Sequence, residues 1–147
     1  MRAILLHIAA LLLLAPMVSA QNYIGVHKDA VRQFVPDDFP GFVLDAEGRA
    51  NHRSFVKFVD LRQEQTLLFV FDLNEICVSM SRMYNTWLYD KLLNNLNHSY
   101  LYLGSNTWVE DCNGQQFEIR LKRNEWYVTV VTRRRKQTAQ PQLTFSN

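Results

Sequence analysis

The chain has 147 residues and a mass of 17.3 kDa; 48% of residues are hydrophobic, 20% charged and 12% aromatic. That balance fits one folded domain and excludes a disordered, collagen-like or low-complexity chain. A formal charge of +2 gives no pull toward nucleic acid, and two cysteines are too few for a disulfide-dense scaffold.

The first element is an address. Arg2 supplies a positive charge, Ile4 to Leu14 is apolar apart from His7, Pro16 ends the run, and Val18-Ser19-Ala20 follows. This is the pattern of a secretory signal peptide, with cleavage predicted after Ala20. The apolar run is shorter than the ~20 residues needed to span a bilayer, and no later stretch is apolar enough to do so. Removal of Arg2 with the leader leaves 15 basic and 14 acidic residues, a charge of +1. The expected destination is the periplasm or the outside of the cell, where cysteines oxidise and cytosolic nucleotide or nucleic-acid functions are excluded.

Residues 23 to 36 are predicted to form a helix, with Ile24, Val31, Phe34 and Val35 on its apolar stripe and Pro36 as its stop. Phe39, Phe42, Val43 and Leu44 are expected to tuck the following turn onto the core, and residues 45 to 53 read as a polar loop. The period then changes to two. Strands are predicted over 54 to 60, 65 to 72 and 76 to 83, the last with Ile76, Val78 and Met80 on one face and Cys77, Ser79 and Ser81 on the other. Asn85 or Thr86 caps a second helix running to about His98, with Leu88, Leu92 and Leu96 as its core stripe. Strands resume over 100 to 103, 107 to 111, 115 to 122 and 125 to 133. Asn113-Gly114 is the strongest hairpin signal among them. The expected fold is α+β: one twisted antiparallel sheet of six to seven strands, with both helices packed on one face and a helix-plus-three-strand unit occurring twice. In domain terms the leader is 1–20, a single domain is 21–133, and a polar tail is 134–147.

Candidate chemistry is sparse. Cys77 and Cys112 read either as one disulfide, given the oxidising destination, or as two free structural thiols; neither has the neighbours of a catalytic cysteine. His27, His52 and His98 lack zinc spacing, so no metal is expected, and no phosphate-binding or calcium loop points to a cofactor. Asp37-Asp38 and Glu110-Asp111 are doublets whose neighbours point apart on a strand, and neither makes an acid–base pair. Arg133, Arg134, Arg135 and Lys136 form a charge run that reads as a solvated end or as a weak contact for anionic surfaces. Trp108, Tyr127 and Tyr102 are candidates for an aromatic binding face, against the alternative that they cover the core. Asn97-His98-Ser99 is a glycosylation sequon.

The expectation is a secreted or periplasmic, non-enzymatic binding domain for a protein or glycan ligand, with no nucleic acid, no cofactor and no transmembrane segment. The alternative is a small secreted hydrolase whose site is assembled from scattered residues.

Overall fold

The computed structural model describes residues 22–136. The expected leader and the tail from residue 137 onward lie outside the described residues.

Lys28–Asp38 forms α1. His27 stands before it in extended conformation, and its Nδ1 accepts from the Asp29 N–H at 3.3 Å, satisfying one orphan donor of the first turn. Val31 and Val35, one turn apart, face inward and are fully buried. The helix was expected to stop at Pro36, but it runs on to Asp38. A proline this close to the end removes one backbone bond only, and the Phe39 N–H closes the last turn on the Val35 carbonyl at 2.9 Å.

Eight strands occur among the described residues, one more than the upper expectation. They are β1 (Val43–Ala50), β2 (Arg53–Asp60), β3 (Gln65–Phe71), β4 (Cys77–Asn85), β5 (Leu101–Gly104), β6 (Thr107–Cys112), β7 (Gln115–Arg123) and β8 (Tyr127–Arg134). Between β4 and β5 a 3₁₀ turn, Thr86–Leu88, leads into α2 (Tyr89–Ser99), with the Asn85 side chain accepting from the Trp87 N–H. All strands join one antiparallel sheet in the order β1-β2-β3-β4-β8-β7-β6-β5. A helix followed by four strands therefore occurs twice, in place of the expected helix and three strands.

The added strand is β1, read from sequence as a loop. It is an edge strand with little apolar alternation, held by backbone pairing to β2 and by ion pairs from Asp45 to Lys57 (2.8 Å) and from Glu47 to Arg32 (3.4 Å). A shift of register between Leu44 and Ala46 further blunts this edge. The opposite edge, β5, is only four residues long and also carries a register shift, between Tyr102 and Gly104, but it has no ion pair, and Leu101, Tyr102 and Leu103 are all exposed. The predicted Asn-Gly hairpin joins β6 to β7, with φ of 55° at Asn113 and 81° at Gly114.

Cross-strand register fixes the faces. Val56, Phe69, Met80, Thr132, Ile119 and Trp108 lie side by side in one row across β2, β3, β4, β8, β7 and β6. Beneath α1, Val56, Phe58, Leu67, Phe69 and Phe71 join Val31 and Val35 in one core cluster. Leu96 of α2 joins Trp108, Ile119, Leu121 and Val128 in a second. Both helices thus lie on the same side of the sheet, but they do not pack together there; each covers its own half. Fully burying each such side chain contributes about 1.5–3 kcal/mol.

Phe69 meets Phe58 and Tyr23 edge-on, with centroids 6.0 and 5.5 Å away. Phe69→Ala should lower unfolding free energy by about 3–5 kcal/mol in a urea titration. Ser54 is buried and its hydroxyl has no partner among the described residues. Ser54→Ala should therefore be neutral or stabilising by up to about 1 kcal/mol in the same titration, and a clear loss would show that the hydroxyl is satisfied.

Candidate functional site

The two helices leave the centre of their side of the sheet less covered. Residues of β2 and β3 under α1, and of β6 and β7 under α2, are buried. The same side of the central pair, Met80, Arg82 and Tyr84 on β4 with Val130 and Thr132 on β8, is half-buried. These residues form the floor of a groove between the two clusters.

Arg82 dominates this floor. It stands between Leu67 and Val130 in the cross-strand row, a position that otherwise takes apolar side chains. Its guanidinium lies 5.7 Å from the ring centre of Phe39, 5.4 Å from Phe42 and 5.2 Å from Tyr84. Such contacts hold the plane of the cation through the electron-rich ring faces. The Nε and Nη2 groups both donate to Gln65 Oε1, at 3.0 and 2.7 Å. Gln65 is buried and its own Nε2 donates to Gln63 at 3.0 Å, so the acceptor is fixed. No carboxylate lies within ion-pair distance of Arg82 among the described residues. Asp60, paired across from Gln65, spends Oδ1 on the backbone N–H groups of Arg62 and Gln63. Burial raises the Tyr84 phenol above its ordinary value against the opposing pull of Arg82, which keeps it neutral.

None of these groups was singled out from sequence. Phe39, Phe42 and Gln65 are far from Arg82 along the chain, and only the folded register assembles them. One signal was available: Arg82 alternates with Met80 and Tyr84, a charge on an otherwise inward stripe.

The sequence candidates are dispersed. Cys77 and Cys112 are free thiols. With β8 and β7 between their strands, they stand about three strand spacings apart, roughly 14 Å. That is beyond the ~7 Å between Cα atoms that a disulfide spans. The expected face of Cys77 is also corrected. A register shift between Val70 and Phe71 pairs Phe71 with Cys77, turning the thiol into the α1 cluster beside Met80. Burial pushes the Cys77 thiol up to about 12. Desolvation, followed by the Glu110 carboxylate, also raises Cys112. Both stay protonated near neutral pH, the opposite of a nucleophile.

The aromatic trio does not share a face. Trp108 is fully buried, with its Nε1 donating to Asn97 Oδ1 at 3.0 Å, and Tyr102 tilts against it at 5.3 Å on the helix side. Tyr127 is exposed on the opposite face. The charge run divides too: adjacent strand residues Arg133 and Arg134 point to opposite sides. Arg133 donates twice to Glu118 Oε1, at 3.0 and 2.7 Å, and Arg120 meets the same oxygen at 2.7 Å. Burial works against the Glu118 charge, but Arg133 and Arg120 outweigh it and hold its carboxyl below the usual range. Arg135 donates to Gln116 Oε1 at 3.1 Å, and Lys136 is exposed.

The face away from the helices carries half-buried Phe55, Val59, Leu68, Val70 and Met83 on one half and the Arg133–Glu118–Arg120 ladder on the other. A shallow hollow of about 570 Å³ lies at its β1–β2 end, lined by Arg53, Phe55, Leu68 and Val70. No group of three or more His, Cys, Asp or Glu suited to a metal occurs among the described residues, and none of the described helices is long and apolar enough to cross a membrane. Comparison of the chain with known protein families, curated proteins and solved structures finds no match.

The thiols make a testable pair. Without reductant, Cys112 should alkylate in the native protein and Cys77 only in denaturant; protection of both until reduction would mean a bridge. Because the folded Cys77 keeps its proton while the unfolded thiol ionises from about pH 9, its contribution to stability is complete below that pH and is lost as pH rises toward 12. The loss should approach about 1.4 kcal/mol per pH unit, and Cys77→Val should remove it. Parallel pH curves for the two proteins would refute the assignment.

Proposed function

We propose that this protein is a small exported, non-enzymatic binding domain whose ligand seats in the groove over β4 and β8. The observation that carries the reading is Arg82: a cation on the inward side of the sheet, framed by three rings and lacking a counter-charge among the described residues. Such a position costs solvation, and a ligand that supplies the missing partner offsets that cost. The thiols support binding over catalysis because both are held protonated. The half-buried Met80, Tyr84 and Val130 set apolar surface beside the few polar groups of the floor, the usual makeup of a ligand site. The open face is a poorer contact surface, since both of its ladder arginines are already engaged by the Glu118 carboxylate. The export half of the reading rests on the leader pattern of Met1–Ala20.

Chain recovered from outside the cytoplasm of expressing cells should have an intact mass that begins at Gln21. A chain that keeps Met1 and stays in the cytoplasm would overturn the export half. For the binding half, the isotope-labelled mature chain should be titrated with short amphiphiles, oligosaccharides and peptides while backbone amide shifts are followed by NMR. At least one class should move Met80, Tyr84 and Thr132 together. Shifts confined to Phe55, Leu68 and Val70 would relocate the site to the open face. Absence of any shift, or turnover of ester, glycoside or peptide substrates, would reject the binding reading.

A further inference from the structure

The geometry points to Arg82 as a carboxylate-binding residue, and we infer that the groove takes a monocarboxylate with an apolar body. This inference rests on reading the groove as the ligand site. A guanidinium has five N–H donors arranged in two forks. Gln65 Oε1 takes one fork, from Nε and Nη2. The other fork, Nη1 with the second hydrogen of Nη2, has no protein acceptor among the described residues. Two parallel N–H groups on one planar edge match the two oxygens of a carboxylate.

The neutral partner matters as much as the free edge. A glutamate in place of Gln65 would cancel the charge; the amide fixes the guanidinium and leaves its full positive charge. The ring faces of Phe39, Phe42 and Tyr84 hold the cation, and the half-buried Phe39 and Tyr84, with Met80 and Val130, give the apolar body something to lie against. One fork of one cation suits a single negative charge. A phosphate dianion in such apolar surroundings would need a second cation, and beside Arg82 the floor supplies only the neutral hydroxyls of Tyr84 and Thr132 with apolar Met80 and Val130.

The test compares octanoate, octan-1-ol and octyl phosphate on the full mature chain, by calorimetry with amide shifts to locate the site. Octanoate should bind at least tenfold tighter than octan-1-ol and tighter than octyl phosphate. Arg82→Gln should abolish the preference for octanoate over octan-1-ol, and Arg82→Lys should keep only part of it, because lysine preserves charge but not the fork. The wild-type comparison stands even if a variant folds poorly. Equal binding of octanoate and octan-1-ol in the groove would overturn the role of Arg82 and leave the groove as a ligand site. Stronger binding of octyl phosphate would overturn the carboxylate assignment. Binding of none of the three at the groove would overturn the inference; the groove itself would then stand or fall by the wider panel of amphiphiles, oligosaccharides and peptides.

Discussion

The antiparallel pairing of β4 with β8, from Ser79–Arg133 to Asn85–Tyr127, joins two halves that otherwise meet where Phe117 of β7 enters the α1 cluster with Cys112 packed against it. Each half is a helix with four strands, and each has its own buried cluster. Neither cluster contains the whole of the central pair. The join is made by backbone hydrogen bonds and by side chains that are half-buried on both faces. The strip of the helix side left between the two clusters is therefore also the part on which the continuity of the sheet depends. The same gap between clusters makes room for a groove.

Within that gap the placement of one charge sets the chemistry. Arg82 takes a row position between Leu67 and Val130, where an aliphatic residue would have completed the inner face. Three aromatic rings and a buried glutamine make the position tolerable without neutralising it. The ladder on the opposite face works the other way: the Glu118 carboxylate, held between Arg120 and Arg133, offsets one of their two charges. The two sides of one sheet thus treat positive charge differently, one compensating it and one leaving it available.

Strand positions with strict alternation were legible in the sequence. Phe117, Ile119 and Leu121 announce β7, and Asn113-Gly114 announces its hairpin, because side-chain period and turn chemistry are local properties. The edge strand β1 was not legible, because it buries little and is held by backbone pairing and ion pairs to residues outside its own segment. The face of Cys77 was misread for a related reason: one extra residue at Val78 shifts the alternation, and only pairing with β3 reveals it. Trp108 resisted assignment because alternation tells which residues share a face and not which face a helix will cover. Of the Arg82 cluster only the charge between Met80 and Tyr84 was legible, since the other members converge on it from α1's exit and β3.

The unequal edges of the sheet set an upper limit on how it can associate with itself. Growth into a filament needs two competent edges, so that each added subunit presents a fresh one. Both edges carry a register shift, but the β1 edge adds charges, while β5 offers a short uncharged run, Leu101 to Leu103. Edge-to-edge contact through β5 uses up the only inviting edge on each molecule. Association by that route ends at a closed pair, which spares the protein open-ended polymerisation.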